Sequence, residues 1–116
     1  QLVCQTGGGG VEMVPFSDII LAESLLKEQR LELTGGRELL VRETLSSLIE
    51  KLGANEAFVS PHRSFIVNLK HAAKIDAESI VMTNGTKVPL SRNSFLKIKE
   101  RFMRCVFNTP GSKEEK

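Results

Sequence analysis

The sequence contains no tryptophan and no tyrosine, and only two cysteines and two histidines. Cys4 and Cys105 stand near opposite ends of the chain, a separation that fits neither a zinc-ligand pattern nor a redox CxxC. Two ordinary reduced thiols in a cytoplasmic protein are the expectation, although sequence distance alone leaves a disulfide between them open. His62 and His71 have no carboxylate close enough in sequence to suggest a metal site. His62 lies near Ser64, but no GxSxG elbow makes that pair a nucleophile and its base. Gly7–Gly10 is no phosphate loop, because neither a GK[ST] nor a helix pattern follows it. The expectation is a protein that is not an enzyme and needs no cofactor or metal.

Long apolar runs are also missing. Stretches such as Ile19–Ala22 fall far short of the roughly 20 residues that span a bilayer, so no membrane partner is expected. There is no charged start followed by an apolar core and a small-residue cleavage site. The chain opens on Gln1 rather than Met, which suggests an excised piece of a longer protein whose N-terminal remainder carries a regulatory input.

What is present is the composition of one ordinary compact domain: 116 residues, 41% hydrophobic and 26% charged. Net charge is only +2, but it is unevenly spread. Residues 1–59 hold five Lys/Arg against nine Asp/Glu, whereas residues 60–105 hold nine against three. A basic second half points one face at a polyanion, with a clustered but merely solvated surface as the alternative.

The pattern is mostly that of strands. Leu2–Gln5 and Val11–Val14 flank the glycines as a hairpin. Ile19–Ala22 is a compact β-branched run, interrupted at Leu25-Leu26. Residues 30–34 alternate, Gly35-Gly36 is read as a two-residue turn, and Glu38 to Arg42 returns. Thr44 caps a helix of about ten residues with Leu45, Leu48, Ile49 and Leu52 on one stripe, ended by Gly53. Phe58-Val59 forms a short strand ending at Pro61. Residues 72–76 and 79–83 pair closely, and Asn84-Gly85 turns the chain into Thr86–Leu90, both residues tolerating positive φ. Ser91 is read as the cap of a last helix, with Phe95, Ile98, Phe102 and Met103 as its stripe. One domain is expected over 1–106, with a frayed tail over 107–116.

The segment Phe58–Leu69 interleaves an apolar frame with His62, Arg63, Ser64 and Asn68. Arginine grips guanine O6 and N7 with two parallel bonds, and asparagine does the same for adenine. Serine hydroxyls and backbone N–H groups hold phosphates. For Asn68 a structural role, closing a turn, is an equal alternative.

The run His62-Arg63-Ser64-Phe65-Ile66-Val67-Asn68-Leu69, then Asn84-Gly85, then Val88-Pro89-Leu90-Ser91-Arg92, closely resembles the signature of LytTR DNA-binding domains. Upstream, Phe16-Ser-Asp-Ile-Ile and the Thr44–Leu52 helix fit the same order, so the resemblance covers about residues 10–105. It implies a mainly β fold with a few short helices, an elongated sandwich of small antiparallel sheets. It also implies sequence-specific DNA binding in which loops, not a recognition helix, enter successive major grooves. Carried over residue by residue, it places Lys27 and Gln29 in a first reading loop. Arg63 is a base reader with His62 and Ser64 beside it, and Arg92 is a base reader with Asn93 on a phosphate. Lys97 and Lys99 are further candidates for phosphate contact. Leu25-Leu26 is unusually apolar for such a loop, either core or in touch with thymine methyls. The implied partners are paired promoter direct repeats, bound by two protomers side by side as a homodimer on DNA, and an upstream receiver domain. These belong to a transcription regulator of a two-component system. A protein-interaction or dimerisation module that binds no DNA is the alternative. It would require Arg63 and Arg92 to be buried in ion pairs or to face apart.

Overall fold

The computed structural model describes residues 1–107. Ten strands and two α-helices follow one another along this span. Strands β1 (Leu2–Gln5) and β2 (Val11–Val14) form a hairpin in which Leu2 pairs with Val14 and Gln5 with Val11. Strands β3 (Ile19–Ser24), β4 (Gln29–Leu33), β5 (Glu38–Val41), β6 (Phe58–His62) and β7 (Phe65–Asn68) make one sheet, in the order β5-β4-β3-β7-β6. Strands β8 (Ala72–Ile75), β9 (Ser79–Met82) and β10 (Lys87–Pro89) make a third. Every pairing is antiparallel. Helix α1 (Leu45–Leu52) and helix α2 (Phe95–Phe107) complete the fold. The expected fold class, small antiparallel sheets with few helices, is what the chain adopts.

The five-stranded sheet is apolar on both faces. Ile19, Ala22, Leu31, Leu33, Phe58 and Ile66 pack one way, against the β1–β2 hairpin and α1. Ile20, Leu21, Val67 and the partly buried Val59 and Phe65 pack the other way, against the three-stranded sheet and α2. Alternation along each strand produces this division. A register shift between Ile19 and Leu21 lets the consecutive residues Ile20 and Leu21 of β3 face the same cluster, out of strict alternation. Cys4 is buried in the first cluster and Cys105 packs against the second, so both thiols are free and the disulfide alternative is removed. Burial pushes the Cys4 thiol up to about 11.

Several local expectations are corrected. The turn after β4 is a three-residue connection, Thr34–Gly36, closed by Leu33 N donating to Arg37 O at 2.8 Å. The Asn84-Gly85 turn likewise uses three residues. Gly85 N donates to Met82 O (2.9 Å) and Met82 N to Thr86 O (2.8 Å). Gly85 alone takes positive φ, at 92°, while Asn84 stays in the ordinary region. This is a tight turn followed by a left-handed glycine. Strand β6 runs through Pro61 to His62 rather than stopping. Helix α1 has eight residues, and Ile49 is exposed. In α2, Cys105 rather than Met103 completes the buried stripe with Phe95, Ile98 and Phe102. The helix starts after Ser94, whose carbonyl accepts from Ile98 N at 3.0 Å, and not at Ser91. Phe107 belongs to α2, and the expected tail beyond it lies outside the described residues. Among the described residues no helix is long and apolar enough to cross a membrane.

Candidate nucleic-acid interface

The centre of the site is the turn between β6 and β7. His62 pairs with Phe65, leaving Arg63 and Ser64 at the bend. One extra residue in β6 between Val59 and His62 makes a bulge, and bulges re-aim side chains. Pro61 sits at that bulge in an edge strand, where a missing N–H costs no ladder bond. The Ser60 hydroxyl braces the bend from beneath, 3.1 Å from His62 O and 2.9 Å from Phe65 O. His62 Nδ1 accepts from Ser64 N at 3.2 Å, which requires a lone pair on Nδ1 and leaves Nε2 as the donor. The His62 ring stands edge-on to Phe65, 5.9 Å between centroids. Ser64 thus meets His62 through its backbone and not its hydroxyl, which is no nucleophile–base arrangement. Arg63 is exposed.

Two backbone bonds tie neighbouring loops to this turn. Ser24 N donates to Ser64 O at 2.8 Å, which fastens the end of β3 and the loop Leu25–Glu28 beside it. That loop closes through Leu25 N to Glu28 O, 2.8 Å. Lys27 is exposed on it, and Leu26 is 96% exposed. On the other side, Ser91 N and Ser91 Oγ both donate to Pro61 O, at 2.9 and 3.1 Å. Ser94 N returns to Ser91 O at 3.0 Å, and the two serine hydroxyls lie 2.7 Å apart. Arg92 and Asn93 occupy the exposed corner of this turn. The loops bearing Lys27, Arg63 and Arg92 are therefore contiguous. Among the described residues none of these three cations forms an ion pair.

Helix α2 continues the basic surface. Lys97, Arg101 and Arg104 fall at i, i+4 and i+7, on one helical face, and line a groove with Phe58, Val59 and Ser60 of β6. Arg101 donates to Glu56 O at 3.0 Å, and Arg104 lies 3.8 Å from the Glu56 carboxylate. Lys99 turns back over the Phe95 ring, 5.7 Å from its centroid.

Two sequence candidates do not reach this surface. Asn68 is 2% exposed. Its amide donates to Ile19 O (2.9 Å) and Phe16 O (3.4 Å), and its Oδ1 accepts from Lys70 N (3.0 Å). Its role is to close the chain between β7 and β8, because all its polar atoms are spent on buried backbone. Gln29 is 5% exposed in β4, paired with Ser24 on one side and Val41 on the other. Its Oε1 is buried without a partner. Reasoning from sequence also missed Ser24 and Ser60, which position the turns through bonds no motif signals. Pro61, directly after the Phe58-Val59 strand signal, was the available sign of a bulge.

The profile of the family described as LytTr DNA-binding domain matches residues 9–103. The chain is a LytTR domain. A solved LytTr DNA-binding domain from Bacillus cereus has the same fold, with a TM-score of 0.68 and 26% identity over 88% of this chain and 94% of that one. The Sensory transduction protein LytT of Enterococcus faecalis is 38% identical over 63 residues, 50% of this chain. The match spans 26% of that relative, so the matched segment, half of this chain, corresponds to about a quarter of the relative's length. The sequence resemblance and the fold thus agree on the family. Among the described residues no group of three His, Cys, Asp or Glu side chains converges to hold a metal.

Proposed function

We propose that this LytTR domain is the output module of a two-component transcriptional regulator and binds double-stranded DNA with sequence preference. In this reading Arg63 and Arg92 grip bases in the major groove. Lys27, His62, Ser64 and Asn93 contact the flanking edges and phosphates. Two protomers side by side on paired direct repeats form the working complex, and an upstream receiver domain supplies the input. The observation that carries the reading is the pair of bonds from Ser91 to Pro61 O. They hold the Arg63 and Arg92 turns together at the surface with neither guanidinium engaged by a described carboxylate. Guanidinium forks left unpaired on adjoining turns suit bidentate recognition of guanine O6 and N7. The interaction-module alternative needs those arginines buried in ion pairs or facing apart; against it, both are exposed and neither is ion-paired among the described residues.

The test is fluorescence anisotropy of a labelled duplex bearing two direct repeats of a LytTR-type site, against a scrambled duplex, over a salt series. Tighter binding to the repeats, weakening steeply with salt, is expected. No binding to either duplex at low salt would overturn the reading.

A further inference from the structure

The loop Leu25–Glu28 carries the most exposed of the large apolar side chains, Leu26 at 96%. An exposed leucine is ordinary in isolation. What sets this one apart is its place. It stands at the tip of a turn closed by Leu25 N to Glu28 O, two residues past a strand end bonded to the Arg63 turn. Lys27 follows it directly, and the exposed Arg42 lines the same cleft, with the half-buried Glu28 as its one carboxylate. Among the described residues neither cation is ion-paired. An apolar tip beside two cations without an ion pair complements a surface with anionic walls and an apolar point on its floor. The major groove is such a surface: phosphates flank it, and the thymine C5-methyl is the apolar group on its base edges.

We propose that Leu26 is a specificity-determining residue that packs its isobutyl group against the C5-methyl of a thymine, so that this loop selects T beside the bases held by the arginine turns. The inference rests on the DNA-binding reading above and adds to it a position and a chemistry. Solvent exposure of Leu26 also means that truncating it leaves the fold intact, which an unchanged thermal midpoint would verify.

The experiment begins with selection of preferred duplexes from a random library by the unaltered chain. The selected duplex is then resynthesised with each thymine replaced in turn by deoxyuridine, which lacks only the methyl. Binding of the parent, Leu26→Ala and Val11→Ala is compared by anisotropy. Val11 is an exposed apolar residue in β2, outside the joined turns. At one thymine the replacement is expected to weaken the parent and Val11→Ala about fourfold, the worth of one buried methyl. Leu26→Ala should bind both duplexes alike. A parent indifferent to the methyl at every position, or a Leu26→Ala protein with the parent's preference, overturns the inference and leaves DNA binding standing. A parent that enriches no motif overturns the DNA-binding reading and this inference together.

Discussion

Glu32 of β4 receives the Asn84 side-chain amide across two sheets, Asn84 Nδ2 to Glu32 Oε1 at 2.7 Å. Thr86 Oγ1 donates to the same oxygen at 2.7 Å, and Arg30 Nη1 donates to the other at 2.8 Å. The β9–β10 turn is thereby clamped to the five-stranded sheet by a side chain only 11% exposed. Burial on its own raises the Glu32 pKa, but the bonds from Thr86, Asn84 and Arg30 outweigh it and hold the group below its ordinary value of 4.5.

A depressed carboxylate contributes stability that is present above its unfolded pKa and lost as pH falls through the folded one. Stability is therefore expected to be level near neutrality and to fall as acid is added from about pH 4.5 downward. Glu43, which is lowered too, shares in this fall. In Glu32→Gln the slope should flatten. Urea unfolding at a series of pH values checks this, and an unchanged slope would remove Glu32 from the account. At pH 7, Glu32→Ala should cost about 1–3 kcal/mol, since it strips partners from part-buried donors.

Arg63→Ala and Arg92→Ala should each weaken binding to a preferred duplex by about 1–3 kcal/mol and relax preference at one base. Lys97→Ala should instead weaken all duplexes alike and lower the salt slope by about 1. Anisotropy against base-substituted duplexes separates the two outcomes. An Arg63→Ala protein as tight and as selective as the parent would contradict the assignment.

Asn68→Ala should act on stability. Ile19 O and Lys70 N lose their partner, and a loss of about 1–3 kcal/mol follows. For a domain of this size, each kcal/mol lowers the thermal midpoint by roughly 4–8 °C. A calorimetric scan showing no shift would mean that the amide does not hold the β7–β8 connection.

Gln29→Met should stabilise the chain. The buried Oε1 without a partner costs about 1–3 kcal/mol, and a thioether of similar length removes that cost while filling the same space. A higher urea midpoint at unchanged m-value is the expected result. A lower one would show that the amide is satisfied in solution.

The strands were legible because turn residues and alternation mark them, and the residue block His62–Leu69 was legible as a family signature. Side-chain direction was harder to read. Gln29 and Asn68 look like surface residues by type, yet each lies in a strand whose two faces are both covered, where polarity does not indicate exposure. Met103 was misplaced because it neighbours Phe102. The buried positions step through Phe95, Ile98, Phe102 and Cys105, keeping the helical period that Met103 breaks. The ties between loops left no trace in the sequence, because their acceptors are carbonyls that every residue owns.

Those ties have a consequence for how such a domain changes over time. The Ser24–Ser64 bond runs between main-chain atoms, and the Ser91–Pro61 join includes one as well. The loops keep their spacing whatever side chains they display at positions 26, 63 and 92. On the proposed reading, in which those positions meet bases, a lineage is free to rewrite the letters it recognises by single substitutions, with the scaffold unaltered beneath them.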